Sequence, residues 1–312
     1  MLGILGGSFG LYGYLPAAVN LLQEPVLLLR KYKPVIDSRQ ELFNFNDQII
    51  WLETEEELIH TADSLVISRR PLDQEALVTK CLLQTNLKRI MFEKPLASSP
   101  ENAQKILHQI DKSNKYCSVG FTFRYTNWAK NLKRIIFNED FSKLDTLSLS
   151  WNFMADHFSR NTEGWKQDHA QGGGPIRFYG IHVIALLAEW GYDHVESSCV
   201  STSNSKHSFY DWRACFKGPG LPTFFVNLDS KSNASNFKIN LRNKELSLFE
   251  GVGPFDPFLK ESNISVQDDR CIYLQDALEE LFELTNHYPS RIERCIKLWQ
   301  LVETGLLLKI NS

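Results

Sequence analysis

Residues Leu2 to Leu22 read LGILGGSFGLYGYLPAAVNLL. An apolar run, Leu2 to Leu5, leads into glycines at positions 6, 7 and 10, and a helical apolar pattern follows from Leu15 to Leu22. Strand, glycine turn, helix is the opening unit of a doubly wound α/β sheet. Glycines at such a turn let the main chain approach a phosphate without a Cβ in the way, and the free N–H groups at the helix start favour an anion. The match to G-x-G-x-x-G is incomplete. Setting Gly7 and Gly10 as the later glycines puts Leu5 at the first, and setting Gly6 as the first makes the loop one residue short. A tight turn with no ligand fits this loop equally well. The stretch has no basic n-region and glycines break its apolar run, so it reads as strand and turn rather than as a signal peptide.

Working outward, short apolar runs alternate with helical patterns up to about residue 121. Strands are expected at 26–29, 49–52, 64–68, 88–92 and 116–121, with helices at 54–60, 73–84 and 100–112 between them. From Leu144 to Met154 the pattern changes to apolar-polar alternation, the mark of a half-solvated antiparallel strand. Further strand-like runs lie at 195–200, 212–216, 223–229, 237–241 and 246–249, and the period is helical again from Gln275 onward. The SNSK and SKSN stretches read as loops. The expected architecture is an N-terminal doubly wound parallel sheet of the Rossmann kind over residues 1–121. An α+β domain with a large open, mainly antiparallel sheet follows over 122–312, its C-terminal helices free to pack back on the first domain.

A chain of 312 residues with 43% hydrophobic and 23% charged residues is long enough for two cores. The net charge of −3, with basic residues scattered, argues against a nucleic-acid partner. No stretch is long and apolar enough to span a bilayer. The six cysteines form no CxxC pair and read as reduced core residues of a cytoplasmic protein. His157, His169, His194 and His207 are spread too widely to suggest a metal site.

Three further stretches carry chemistry. The second strand ends LLLRKYK, placing Arg30 and Lys31 where a dinucleotide fold for NAD carries an acid. An arginine there suits the 2′-phosphate of NADP, although both cations also read as solvated loop charges. FEKPLA, Phe92 to Ala97, follows a strand and sets Lys94 at the carboxyl end of the sheet, where a desolvated lysine can hold or protonate a reacting oxygen. QGGGPIRFYGIH, Gln171 to His182, sets a glycine turn ahead of an apolar helix bearing one histidine. His182 alone reads as readily as a satisfied core histidine as it does as a site residue.

Together with VGFTFRY, Val119 to Tyr125, these segments resemble the Gfo/Idh/MocA family, relatives of glucose-fructose oxidoreductase and inositol dehydrogenase. ILGGSFGLYGYLPA is similar to the family's nucleotide loop, FEKPLA to its EKP motif, VGFTFRY to its VGFxxRF strand, and GGGPIRFYGIH to its GGGxxxDxGxH motif. The first loop is also similar to the GGxFDPxHxGH opening of nucleotidyltransferases, but Gly10 and Leu11 replace Asp-Pro and neither histidine is present.

The family resemblance implies NADP or NAD as cofactor, with the Arg30 lean toward NADP. It implies hydride transfer at a carbon of a sugar, cyclitol or nucleotide-linked sugar, and a homodimer or homotetramer. It implies cofactor contacts from Gly6, Gly7, Ser8, Phe9, Gly10, Arg30, Ser68, Glu93 and Lys94. Lys94 and His182 match the motif's oxygen-holding lysine and acid/base histidine, with Tyr179 as a further catalytic candidate. Arg124, Trp165, Phe178 and His182 are the expected substrate contacts.

The motif's aspartate, four residues before the histidine, is Phe178 here, and a second, three after it, is Ala185. Three readings follow. Tyr179, Arg177, Asp168 or His169 supplies the missing polar group; or Phe178 stacks on the ring of a different substrate; or the site is degenerate and the protein binds a nucleotide or sugar without turning it over.

Overall fold

The computed structural model describes residues 1–137, 146–202, 208–241, 246–255, 268–285 and 289–310. Two compact units emerge. One comprises Met1–Ala97, Gln104–Thr122 and the described part of Leu259–Ser290; the other comprises the described parts of Ser98–Ala103, Phe123–Phe258 and Arg291–Ser312.

The first unit is built on six parallel strands, β1 (Leu2–Leu5), β2 (Val26–Leu29), β3 (Ile49–Leu52), β4 (Ser64–Ile67), β5 (Arg89–Phe92) and β6 (Tyr116–Val119). Their order is β3-β2-β1-β4-β5-β6, the doubly wound arrangement, with the order reversing beside β1. β1, β2 and β4 are buried along their whole length, which is why they read as unbroken apolar runs in the sequence. The helix Glu55–Thr61 starts at Thr54, whose Oγ1 accepts from Glu57 N–H at 3.1 Å, and three glutamates occupy its first turn. The helix Cys271–Glu283 buries Leu274, Ala277, Leu278 and Leu281, one face at helical spacing, and lies beside the helix Leu15–Leu21.

The second unit holds a seven-stranded sheet of β7 (Thr146–Met154), β8 (His194–Thr202), β9 (Phe209–Lys217), β10 (Thr223–Asp229), β11 (Lys231–Leu241), β12 (Leu246–Gly251) and β13 (Leu306–Ile310). The order is β12-β11-β7-β10-β9-β8-β13. Four neighbouring pairs are antiparallel; β7–β10 and β8–β13 are parallel. The open, mainly antiparallel sheet expected from alternation is present. The helix Ile181–Glu189 is buried at every position but its last, as an apolar helix laid on a sheet must be. Gly180 permits that approach, since a Cβ there would stand 2.7 Å from the Trp212 ring.

Three local readings change. Leu306–Ile310 is a strand beside β8, not a continuation of the C-terminal helices, because its apolar run finds an open sheet edge. The SKSN stretch enters β11 at Lys231, and the register shift between Lys231 and Asn236 accommodates its irregular start. Asn127–Phe137 is a helix burying Trp128, Ala129, Leu132 and Ile136, a segment for which the sequence reading expected no element. The SNSK stretch, His207 and the Leu144 start of the alternating run lie outside the described residues.

Candidate functional site

In the first unit the glycine turn leaves β1 at Leu5. Gly6 passes so near β4 that a Cβ would lie 2.1 Å from the Ser68 carbonyl oxygen, so only glycine fits. Gly7 faces the Tyr32 ring, 3.1 Å from where a Cβ would stand. The turn closes on itself: Gly10 N–H donates to Gly7 O at 2.8 Å, and the N–H groups of Leu11 and Tyr12 donate to Ser8 O at 3.0 and 3.1 Å. Ser8 has φ +40, a conformation glycine adopts freely and serine does not. A wide π-type turn, Gly10–Tyr14, then feeds the helix.

The FEKPLA segment leaves β5 in the same unit. Gln74, fully buried in the helix Pro71–Leu82, grips it: Nε2 donates to the carbonyls of Glu93 (2.9 Å), Pro95 (3.2 Å) and Leu96 (2.9 Å), and Oε1 accepts from Glu93 N–H at 3.1 Å. The Lys94–Pro95 peptide is cis. Tyr14 O–H donates to Glu93 Oε2 at 2.8 Å. Burial pushes the Glu93 carboxyl upward, against the pull of Lys94 and of the Tyr14 hydrogen bond. Gly120, at the end of β6, leaves room for Tyr14, whose hydroxyl would sit 2.3 Å from a Cβ. Lys94 is thus carried on a segment fixed on both sides of it.

Arg30, directly after β2, pairs through Nε with Glu53, both side chains more than half exposed. Lys31 and Arg69 both reach Glu55. The cations expected at this sheet end are present, each with a carboxylate partner.

In the second unit the GGG turn takes left-handed glycine at Gly172 (φ +87) and Gly174 (φ +80) and runs through a π-type turn, Pro175–Gly180, into the Ile181–Glu189 helix. His182 is buried, its ring stacked on Phe123 at 4.6 Å and 14°. Phe123 continues into Trp151, and Trp151 into Phe153 and Tyr179. Phe178 touches Tyr179 at 4.8 Å and Trp165 at 5.2 Å, edge to face, with the Lys166 ammonium 5.5 Å above its ring. Rings therefore connect four of the expected residues, Trp165, Phe178, Tyr179 and His182. Burial and the charge of Asp156 hold the Tyr179 phenol well above its ordinary value.

The other polar candidates have structural partners. Arg177 grips Glu303 and donates to the carbonyls of Ser98 (2.5 Å) and His169 (2.9 Å). Asp168 caps the short turn His169–Gln171 by accepting from Ala170 N–H at 2.9 Å. Arg124 is held by Glu189 at 2.8 and 3.1 Å, which overcomes the effect of burial and keeps that carboxylate ionised. Gln74, Tyr14, Glu189 and Glu303 were not singled out in the sequence: Tyr14 lies within the nucleotide-loop segment but its partner Glu93 is 79 residues on, and the other three lie outside the motifs they hold. Among the described residues no group of His, Cys, Asp or Glu is placed to hold a metal, and no helix is long and apolar enough to cross a membrane.

No family model matches the chain. The putative oxidoreductase YteT of Bacillus subtilis is 23% identical over 128 residues, 41% of this chain and 29% of that protein. Glucose-6-phosphate 3-dehydrogenase of the same organism is 25% identical over 138 residues, 43% of this chain and 38% of that one. The matched stretch thus spans about a third of these relatives. Among solved structures, KijD10, a 3-ketoreductase from Actinomadura kijaniata crystallised with NADP and TDP-benzene, superposes with a TM-score of 0.72 at 12% identity, over 100% of this chain and 99% of that one. The chain thus shares the fold of this 3-ketoreductase, with the four motifs in order along it.

Proposed function

We propose that the chain is an NAD(P)-dependent oxidoreductase that moves hydride between nicotinamide and a hydroxyl or keto carbon of a sugar, cyclitol or nucleotide-linked sugar. The observation that carries this reading is the Gln74 grip on the FEKPLA segment. A fully buried amide spends four hydrogen bonds on holding the stretch around Lys94 at the carboxyl end of a doubly wound sheet, where such folds bind ligand. The residues fit a dinucleotide: a glycine turn closed against β4, and cations after β2. Gly6, Gly7, Ser8, Phe9 and Gly10 would hold the pyrophosphate, with Ser68 and Glu93 bordering them. Arg30 would favour the 2′-phosphate, so NADP is preferred.

When bound, the nicotinamide supplies or accepts the hydride. Lys94 holds the substrate oxygen and carries its proton. His182, its ring set by Phe123, assists the proton transfer. Tyr179 serves as a hydrogen-bond donor to the substrate rather than as an acid or a base, since its proton is held tightly. Trp165 and Phe178 offer ring faces to a sugar, and Arg124 acts with its charge already balanced by Glu189. Self-association into a homodimer or homotetramer belongs to the same reading, and the open face of the seven-stranded sheet around Ser150, Ser197, Arg213 and Asn227 is the surface available for it.

Calorimetric titration with NADPH and, separately, NADH tests the reading. Tighter binding of NADPH is expected; no binding of either overturns it. A second reading, a nucleotide- or sugar-binding protein without turnover, is favoured by Phe178 at the motif's carboxylate position. Dinucleotide binding with no turnover on any sugar or nucleotide-sugar substrate would select it.

A further inference from the structure

The C-terminal part of the first unit brings a cation to the glycine turn. The helix Cys271–Glu283 packs so close to it that a Cβ at Gly13 would stand 2.9 Å from Leu274. The Cys271 thiol lies 3.5 and 3.6 Å from the carbonyls of Tyr12 and Gly13. Arg270, the residue before this helix, is thereby delivered to Phe9. Its guanidinium carbon is 4.1 Å from the centre of the Phe9 ring, within cation–π range.

Asp268 orients this guanidinium. Nε donates to Oδ1 at 2.7 Å and Nη2 to Oδ2 at 2.5 Å, while Arg270 N–H also donates to Oδ1 at 3.0 Å. The hydrogens on Nη1 have no protein acceptor among the described residues, and the Arg270 side chain is 39% exposed. A guanidinium held by stacking on one side and by a carboxylate on the other has already lost the rotamer freedom that a bound anion would otherwise have to remove. It stands on Phe9, inside the turn that the preceding reading assigns to pyrophosphate.

We propose that Arg270 is a phosphate-binding residue for the dinucleotide, supplied to the glycine turn by the C-terminal return of the chain. This rests on the reading that the protein binds NAD(P). Charge-assisted bonds from arginine to phosphate are among the stronger polar contacts, so the loss of this one weakens binding by roughly ten- to a hundredfold. Asn at position 268 keeps an oxygen to accept from Arg270 Nε, and so keeps the guanidinium oriented, while the negative charge that opposes an incoming phosphate is gone.

The test is calorimetric titration of NADPH into the wild type and the variants R270Q, R270K and D268N, at low and at moderate salt, with near-ultraviolet circular dichroism to check each fold. R270Q is expected to lose about ten- to a hundredfold in affinity and part of the salt dependence. R270K should fall between it and the wild type, and D268N should bind at least as tightly as the wild type. If the Arg270–Asp268 pair serves only to cap the helix, R270Q and D268N weaken binding alike; that result, or R270Q within twofold of wild type, overturns the proposal. Should R270Q fail to fold, R270K against D268N carries the same contrast. A wild type that binds neither NADPH nor NADH overturns the oxidoreductase reading itself, and this proposal with it.

Discussion

Arg177 holds Glu303 through two parallel bonds, Nε to Oε1 at 2.8 Å and Nη2 to Oε2 at 2.5 Å, with both side chains nearly buried. Trp299 Nε1 adds a third bond to Oε1 at 2.7 Å, and the remaining Arg177 nitrogen ties the Ser98 and His169 carbonyls. Glu303, on the helix Ser290–Thr304, thus binds the arginine next to Phe178, in a network that links the glycine turn to the segment following FEKPLA.

Removing one partner of that pair leaves a buried charge uncompensated. Glu303→Gln is expected to lose about 3 kcal/mol of stability in urea unfolding at neutral pH. A Glu303→Gln, Arg177→Met double variant should lose less than the sum of the two single changes, because neither charge is then stranded.

The same pair sets a pH response. Burial would raise the Glu303 carboxyl, but the hydrogen bonds from Arg177 and the His169 ring 3.7 Å away outweigh it and hold the group at about 2 against an ordinary 4.5. A depressed acid contributes its stability in full above its unfolded value and loses it as pH falls. Thermal melts should therefore show stability draining away between about pH 4.5 and pH 2, by up to roughly 3 kcal/mol, with a visibly shallower fall in Glu303→Gln.

Gln74→Leu strands three carbonyls, those of Glu93, Pro95 and Leu96, in a buried place. Equilibrium unfolding should show a loss of about 2–4 kcal/mol. Turnover should fall further than dinucleotide affinity does, since the segment released is the one carrying Lys94. Equal loss in both would mean that Gln74 only supports the fold.

Ser8 holds φ +40 at the glycine turn. Ser8→Gly relieves that strain and is expected to gain about 1 kcal/mol in stability, read as a rise of a few degrees in Tm. A loss would show that the Ser8 side chain makes contacts worth more than its backbone strain.

Phe178 lies among Trp165, Tyr179 and the Lys166 ammonium. Phe178→Asp sets a carboxylate against two rings, and a turnover loss of tenfold or more is expected if these rings face the substrate. A gain in turnover would instead mark position 178 as a lost catalytic carboxylate.

How far these features could be read from the chain depends on the range of the interactions that make them. β1, β2 and β4 are short fully buried runs set off by turns, so their apolar pattern outlines the first sheet, and the Gly6–Gly10 turn is legible because only glycine fits at Gly6 beside Ser68. The helix Asn127–Phe137 and the strand Leu306–Ile310 were not legible, the second because an apolar run next to a helix becomes a strand only when a sheet edge accepts it. The β7–β10 pairing is parallel although both strands alternate like antiparallel ones, since alternation reports which face is wet and not which way the neighbour runs.

The sequence by itself therefore determined what depends on neighbours a few residues apart: the strand, turn and helix periods, the doubly wound first unit, and the positions of Lys94 and His182 in their motifs. Only the tertiary structure decided which side chains hold those motifs. Gln74 reaches Glu93 across 19 residues, Arg124 reaches Glu189 across 65, Arg177 reaches Glu303 across 126, and Arg270 returns to Phe9 from the far end of the chain. Such pairs leave no periodic trace, because a hydrogen bond between distant segments constrains one residue on each and nothing in between.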